Sequence, residues 1–124
     1  MTYVDGFVLP VPKKNFQKYR KMAAEAGKMW KKFGALRYIE AVGDDLHHKM
    51  EKMKIANFPS IAKAKPNENV WYSFIVYRNK AHRDQVNARV MKQMAKDKDK
   101  NKDMKMPFDM RRMAYGGFRA VVDL

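Results

Sequence analysis

The chain contains no cysteine among its 124 residues. Disulfide bonds, zinc-thiolate sites, iron-sulfur clusters and thiol catalysis all require cysteine, so the sequence excludes all four. No apolar run approaches the roughly 18 residues that a membrane span needs. The N-terminus also lacks a basic leader followed by a long apolar stretch. We therefore expect a soluble, unprocessed, cytoplasmic protein.

The usual catalytic motifs are missing as well. No serine and histidine arrangement resembles a nucleophilic triad, and no glycine-rich segment precedes a predicted helix as a phosphate cradle would. These absences argue against hydrolases and nucleotide-binding enzymes. We predict no cofactor, and the sequence leaves open whether the protein is an enzyme.

Positive charge, in contrast, is abundant. The chain has 27 Lys and Arg against 13 Asp and Glu, a net charge of +14 at pH 7. Half of this excess lies between positions 13 and 32, where the only acid is Glu25 and the basic residues are Lys13, Lys14, Lys18, Arg20, Lys21, Lys28, Lys31 and Lys32. Such a stripe can attract nucleic acid or another polyanion, although most charged helix faces simply contact water.

The hydrophobic pattern predicts six main elements in a single domain of residues 1–124. Strands are expected at 3–9, 35–42, 70–77 and 113–124, and amphipathic helices at 15–33 and 80–95. The segment 43–69 reads as a connection with one minor extended piece, and 96–105 as a mobile, lysine-rich surface loop. Gly116 and Gly117 indicate a bulge or a close backbone approach in the last strand.

The order β-α-β, β-α-β predicts an α+β, ferredoxin-like fold with a four-stranded antiparallel sheet. Two helices cover one face of such a sheet, yet strand 70–77 is apolar on both faces. The open face therefore needs a partner, and a second copy of the chain is the simplest one. We predict a homodimer whose two sheets form an α/β-barrel.

Five segments resemble the YbaA-like family of unknown function, in that family's order and spacing. They are "YVDGF" at 3–7, "FGAL" at 33–36, "VGDD" at 42–45, "SFIVY" at 73–77 and "MPFDMRRMAYGGF" at 106–118. The resemblance implies a dimeric α/β-barrel, a superfamily that includes small monooxygenases, haem-degrading proteins and non-catalytic members. Relatives lack His47 and His48 and the lysine-rich loop, so the resemblance gives neither feature an essential role.

Strand alternation groups the candidate site residues. If Val4 and Val8 face the helices, Asp5 lies on the other face, inside the predicted barrel. The residues expected to line a ligand pocket are Asp5, Glu40, Ser73, Tyr115 and Arg119. Burial and mutual repulsion of Asp5 and Glu40 would raise one carboxyl pKa and create a general base. The alternative is a structural ion pair of Asp5 with Arg37 or Arg119.

Three further residues are weaker candidates. His82 begins the second helix beside Arg83 and Asp84, which would orient it as a base, but a packed core histidine is the commoner case. Asp109 and Arg112 belong to the segment "MPFDMRRM", where Asp109 is expected to accept backbone amides and pair with Arg111 or Arg112. We expect this segment to be architectural.

The cluster "VGDDLHHKMEK" at 42–52 offers carboxylate and imidazole groups, but its spacing matches no recognised metal motif, so we predict no metal site. The methionines are read as core packing.

On these grounds we expect a small-molecule-binding protein or a cofactor-free oxidative or isomerising enzyme. The ligand would lie between the sheet and the helices. The alternative is a non-catalytic basic module that binds nucleic acid or another polyanion. Membrane partners are not expected.

Overall fold

A computed structural model describes residues 1–47, 55–100, 102–103 and 105–124. Its strands and α-helices, among these residues, are β1 (Tyr3–Pro12), α1 (Phe16–Lys32), β2 (Arg37–Val42), α2 (Phe58–Ala62), β3 (Glu68–Tyr77), α3 (Lys80–Lys96) and β4 (Ala114–Arg119). The strands form one antiparallel sheet in the order β2-β3-β1-β4. This is the predicted ferredoxin-like α+β arrangement.

Strand β1 lies in the middle of the sheet and is longer than predicted. It pairs with β3 along its whole length, but β4 pairs only with positions 3–8. Beyond Val8, β1 therefore has a single neighbour, and proline is tolerated at such an edge. Pro10 and Pro12 consequently lie inside the strand, whereas the sequence predicted that the strand would end before them.

The face that carries the helices is the opposite of the one predicted. Leu9 and Val11 are fully buried in a cluster with Tyr19 of α1, whereas Val4 and Val8 lie on the other face and are partly exposed. The prediction was wrong because both faces of β1 carry apolar side chains. Alternation shows which residues share a face but not which face the helices cover.

Both long helices pack on this face, and residue types typical of helix ends mark the start of α3 and the end of α1. Val86 and Val90 of α3 are buried against Ile75 of β3. The Asn79 side chain caps α3 by accepting a hydrogen bond from the His82 amide at 2.8 Å. Gly34 follows α1 with φ of 118°, a left-handed conformation that favours glycine.

The connection between β2 and β3 contains a helix that the sequence reasoning missed. Asn57 caps α2 by accepting from the Ser60 amide at 2.9 Å, and the helix ends at Lys63, whose φ is 55°. Asn57 and Pro59 are N-terminal helix signals in the sequence, but a helix of five residues is too short to produce a hydrophobic period.

Strand β4 ends at Arg119, earlier than predicted, and pairs with β1 in continuous register, without a bulge. Its glycines allow a close approach instead. A Cβ on Gly117 would lie 2.9 Å from Cε1 of the Tyr3 ring. The predicted bulge is therefore absent, and the group that approaches Gly117 is the side chain of Tyr3 rather than another backbone segment.

The opposite face of the sheet is only partly covered. Helix α2 lies over one end of it, where the Phe58 and Tyr72 rings are 6.4 Å apart. Tyr72 is still 46% exposed and Phe118, on β4, 63% exposed. An apolar open face was predicted, and it is present in the single chain.

Candidate functional site

The five residues predicted to form one pocket do share one face of the sheet, and it is the face under the helices. The register pairs Glu40 with Ser73, Asp5 with Ile75, Phe7 with Tyr115 and Tyr3 with Arg119. Asp5 and Glu40 are two strands apart, roughly 12 Å between Cα atoms from the usual strand spacings. The two carboxylates therefore form separate centres rather than one repelling pair.

Glu40 lies in a cavity of about 720 Å³ between the sheet and α1, which we call the central cavity. Phe7, Leu9 and Ile75 supply its apolar floor, with Ser73 beside Glu40. Helix α1 supplies Tyr19, Met22, Ala26 and Trp30. Cavities of about 300–1,000 Å³ with a few polar groups in an apolar lining are typical of small-molecule sites.

The Glu40 carboxylate is held by two phenols. Tyr19 Oη donates to Glu40 Oε2 at 3.0 Å, and Tyr38 Oη donates to Oε1 at 3.1 Å. Burial raises the pKa of Glu40 above its ordinary value, although hydrogen bonds from Tyr19, Tyr38 and Ser73 partly oppose the shift. Burial and the neighbouring carboxylate also raise the pKa of both tyrosines, so both remain protonated donors. Glu40 is thus a fixed carboxyl group whose pKa is shifted toward neutrality.

The segment 106–113, which we call the closing segment, forms part of the wall of the central cavity. Phe108 packs edge-on against Tyr19 with 5.6 Å between ring centroids, and Asn15 Nδ2 donates to the Pro107 carbonyl at 2.9 Å. Methionines from this segment and α3 complete the wall: Met94, Met106, Met110 and Met113. The sequence reasoning treated these four as core packing, but they line a cavity, where flexible thioethers can adapt to a ligand.

The lysine-rich loop also contributes to this cavity. Lys98 and Lys102 are exposed residues that line its outer rim. The described residues of 96–105 lie mostly on the surface, as predicted, and a 3₁₀ turn covers Lys98–Lys100. A loop regarded as incidental therefore places positive charge at the entrance.

Asp5 forms the second centre, and its partner is neither Arg37 nor Arg119. Arg83 of α3 contacts Asp5 Oδ1 through Nη1 at 2.8 Å, while the Asp5 side chain is 1% exposed. The same Nη1 donates to Tyr115 Oη at 3.0 Å, and the guanidinium lies 4.8 Å from the Tyr3 ring centroid. The structural ion pair was expected, but its cation comes from a helix and not from a neighbouring strand.

Burial raises the pKa of Asp5, while the charge of Arg83 and hydrogen bonds from Asn87, Tyr115 and Arg83 lower it. Asn87 also connects this centre to the core, because its Oδ1 accepts from Trp30 Nε1 at 3.1 Å. Arg119 lies exposed at the end of β4. The Asp5 cluster is thus filled by its own partners and is suited to holding α3 on the sheet.

His82 is a packed core residue. It is 6% exposed, its Nδ1 accepts from the Arg78 amide at 3.0 Å, and its ring packs edge-on against Tyr77. Burial lowers the pKa of His82, and the charge of Arg78 lowers it further. Arg83 pairs with Asp5 and Asp84 rather than orienting this histidine. Of the two interpretations of His82, a general base or a packed core histidine, the structure shows the packed core histidine.

The segment "MPFDMRRM" contains the predicted contacts and one that was not foreseen. Asp109 accepts from the Arg111 amide at 3.0 Å and begins a 3₁₀ turn at Met110–Arg112. Arg112 makes a two-pronged contact with Glu68, with both N–O distances 2.6 Å. The Glu68 side chain is 3% exposed, and the hydrogen bonds from Arg112 lower its pKa. Arg112 thus fixes the closing segment to the start of β3.

No group of three or more His, Asp or Glu side chains is placed to hold a metal ion within the described part of the chain. Asp44, Asp45 and His47 are exposed there, while His48 and Glu51 lie outside the described residues. Likewise, no helix in the described ranges is long and apolar enough to cross a membrane.

Three residues of the site were missed by the sequence reasoning: Tyr19, Tyr38 and Arg83. In the sequence, Tyr19 falls on the apolar stripe of α1 and Tyr38 in the alternation of β2, where a hydroxyl gives no separate signal. Their strand and helix positions place both phenols on Glu40. Only the combination of β2 register and α1 packing reveals this, and neither can be read from spacing alone.

Comparison with known proteins identifies relatives over almost the full length. The family model described as "Protein of unknown function (DUF1428)" matches residues 2–110. "Uncharacterized protein YbaA" of Escherichia coli strain K12 is 42% identical over 123 residues, covering 99% of each chain, and the YbaA proteins of Escherichia coli O157:H7 and Shigella flexneri match equally well. Among solved structures, the de novo designed protein Foldit4 aligns with a TM-score of 0.46 at 10% identity, covering 97% of this chain and 99% of that one. The matches to the family model and to YbaA show that the chain belongs to the DUF1428 family of proteins of unknown function.

Proposed function

We propose that the protein binds a small, mainly apolar organic molecule in the central cavity and exchanges a proton with it through Glu40. The observation that carries this proposal is the Glu40 carboxyl group, held by Tyr19 and Tyr38 inside a cavity of about 720 Å³ with an apolar, methionine-rich lining. A carboxyl group with a raised pKa in such surroundings is a typical general acid or base.

The reaction class that this geometry supports is isomerisation by proton transfer. The Glu40 carboxylate would take a proton from a carbon beside a carbonyl group, leaving the enolate, and would return it to another carbon. No electrons leave the substrate, so the reaction requires no cofactor. Oxidation of a substrate by molecular oxygen is the other cofactor-free reaction considered, but no described residue favours it over proton transfer.

A ketone and its enol mimic test binding and chemistry together. 2-Tetralone has exchangeable protons beside its carbonyl group, and 2-naphthol resembles its enol. We expect 2-naphthol to quench Trp30 emission in a Trp71→Phe variant, and Glu40→Gln to weaken binding by roughly fivefold or more because a charge-assisted hydrogen bond is lost. We expect the protein to accelerate deuterium incorporation into 2-tetralone, measured by NMR.

The matched controls separate the outcomes. 2-Methoxynaphthalene has the same shape without the donor, so Glu40→Gln should leave its binding unchanged. Ala26→Phe should fill the central cavity and abolish binding of both naphthalenes. Binding of 2-naphthol without deuterium exchange would leave a binding protein without this catalysis, and no binding at all would refute the proposal.

We also propose that the open face of the sheet pairs with the same face of a second copy. Tyr72 and Phe118 are large apolar residues exposed on it, and Val4 and Val8 extend the patch across β1. Phe118→Arg should then shift the mass measured by light scattering after size exclusion from dimer to monomer. A monomer in the wild type at micromolar concentration would refute the pairing. The cytoplasmic location stays a prediction.

The alternative function is a basic binding module for nucleic acid or another polyanion. The observation in its favour is the exposure of all eight basic side chains between positions 13 and 32. Fluorescence anisotropy with random DNA and RNA tests it, because polyanion binding falls steeply with salt. Binding that persists near physiological salt would support this alternative. If nucleic-acid binding is lost at that salt concentration, the positive charge does not serve to bind polyanions.

A further inference from the structure

A second concave surface lies beside α1, outside the central cavity. It is a groove of about 700 Å³ between α1 and the edge strand β2, and we call it the lateral groove. Its apolar walls include Phe16, Ala24, Val42 and Trp71. Tyr38 and Glu40 line both this groove and the central cavity, so the two share one wall.

Three cations line the same groove. Arg20, Lys28 and Lys31 lie along one stripe of α1, over a length of roughly 16 Å at the usual helical rise. Lys31 is fixed near one end, because its Nζ donates to the Leu36 carbonyl at 2.8 Å. Apolar walls with a positive rim are complementary to a molecule that has an apolar body and a negative head.

Trp71 supplies an independent observation. It is 4% exposed, lines the lateral groove and packs against Phe16 and Tyr19 with centroid distances of 5.4 and 4.7 Å. Its indole Nε1 is buried and finds no acceptor among the described residues. Buried donors normally have a partner, so a bound carboxylate would satisfy this N–H once the side chains that cover it move apart.

Among the described residues, Glu40 is the one acid that lines the groove. Three cations line it as well, so its charge stays positive even when Glu40 is ionised. A polyanion, by contrast, presents repeated charges and fits an extended polar surface better than an apolar groove. The cations are therefore better matched to a single organic anion than to nucleic acid.

We propose that the lateral groove is a binding site for amphipathic organic anions, in particular carboxylates with an aliphatic or aromatic body. The apolar part would lie against Phe16, Ala24 and Val42. The carboxylate would lie beside Arg20, one helical turn from Phe16, and Lys28 and Lys31 would add weaker attraction from farther along the helix. This site shares a wall with the central cavity but does not depend on the function proposed there.

The two tryptophans make the site measurable, since Trp71 lines the lateral groove and Trp30 the central cavity. In a Trp30→Phe variant, octanoate should change the Trp71 emission in a saturable manner, and octanol should bind more weakly. Replacing Arg20, Lys28 and Lys31 together by Gln should weaken octanoate binding about fivefold, the effect expected for one exposed charge pair supported by two more distant cations. Octanol binding should not change.

Matched variants test whether octanoate responds only to the net charge of the protein, or binds in the central cavity instead. Replacing Lys13, Lys14 and Lys18 by Gln removes the same net charge elsewhere and should change octanoate affinity by less than about twofold if the rim cations act locally. Ala24→Phe should block the lateral groove, whereas Ala26→Phe, in the central cavity, should not alter octanoate binding.

The proposal would be overturned if octanol bound as tightly as octanoate. It would also be overturned if the variant that replaces Lys13, Lys14 and Lys18 lost as much octanoate affinity as the variant that replaces the three groove cations. It would also be overturned if Ala26→Phe and not Ala24→Phe removed octanoate binding, since the anion would then occupy the central cavity. That last result would favour the proposed function while excluding the lateral site, so the two proposals fail separately.

Discussion

Removing the cation from the Asp5 centre should be severely destabilising. Arg83→Met keeps much of the aliphatic length but removes the guanidinium that contacts Asp5 at 2.8 Å. Asp5 is 1% exposed, so the carboxylate cannot recover its hydration. Removing one partner of a buried pair typically costs about 3–5 kcal/mol in the free energy of unfolding, and we expect a value in this range at pH 7. For a chain of this size Tm should fall by roughly 10 °C or more.

The loss should depend on pH in a defined direction. Burial raises the pKa of Asp5 above its unfolded value of about 3.9, and Arg83 opposes the rise. A raised carboxyl pKa means that stability falls as the pH increases from the unfolded to the folded pKa. Without Arg83 the folded pKa is higher still, so this window widens. The difference between wild type and variant should therefore grow from pH 4 to pH 7.

Urea unfolding followed by tryptophan fluorescence, at pH 4, 5.5 and 7, measures the difference. Asp84→Ala is the matched control, because it removes the exposed partner of the same arginine and should cost less than about 1 kcal/mol. Adding Asp5→Asn to Arg83→Met should restore part of the stability at pH 7. A loss in Arg83→Met that is no larger than in the control, or that is equal at pH 4 and pH 7, would refute the reasoning.

Three other substitutions test the site and its supports. Glu40→Gln removes a carboxyl group whose pKa is raised by burial, so the stability of the variant relative to wild type should increase from pH 4 to pH 8. Urea unfolding at both pH values measures this difference, and a constant difference would contradict the reasoning. Gly27→Ala should cost about 1–2 kcal/mol, because its Cβ would lie 2.7 Å from the Tyr38 ring, whereas Gly6→Ala meets nothing nearer than 3.5 Å and should be nearly neutral in the same assay. Arg112→Ala should lower Tm in a thermal scan more than Arg111→Ala does, because Arg112 holds a buried carboxylate; equal shifts would make the Glu68 contact unimportant.

The fold was largely predictable because its signals are local and repeated. The period of the apolar residues in α1, the Asn79 cap and the apolar run in β3 each depend on a few neighbouring positions. Helix α2 was missed because it is too short for a period. The prediction of which sheet face the helices cover was wrong because β1 is apolar on both faces. Only the packing of the helices decides which face is buried.

The site was predictable as a face but not as a set of contacts. Alternation and strand order correctly placed Asp5 and Glu40 on the same side of the sheet. Their partners come from α1 and α3, and the rotation of a helix about its axis relative to the strands is a tertiary property. Arg83 was therefore read as a neighbour of His82, although its guanidinium reaches Asp5, 78 positions away in sequence.

Tyr38 and Glu40, together with Ala23, form a wall common to the central cavity and the lateral groove. A molecule that displaces this wall from one side changes the volume and hydrogen bonding available on the other. If both sites are occupied in the same chain, their affinities are thermodynamically linked, and the factor by which each ligand alters the other must be equal. A single measurement of this factor, made in either order, would show whether the wall is rigid or transmits binding between the two sides.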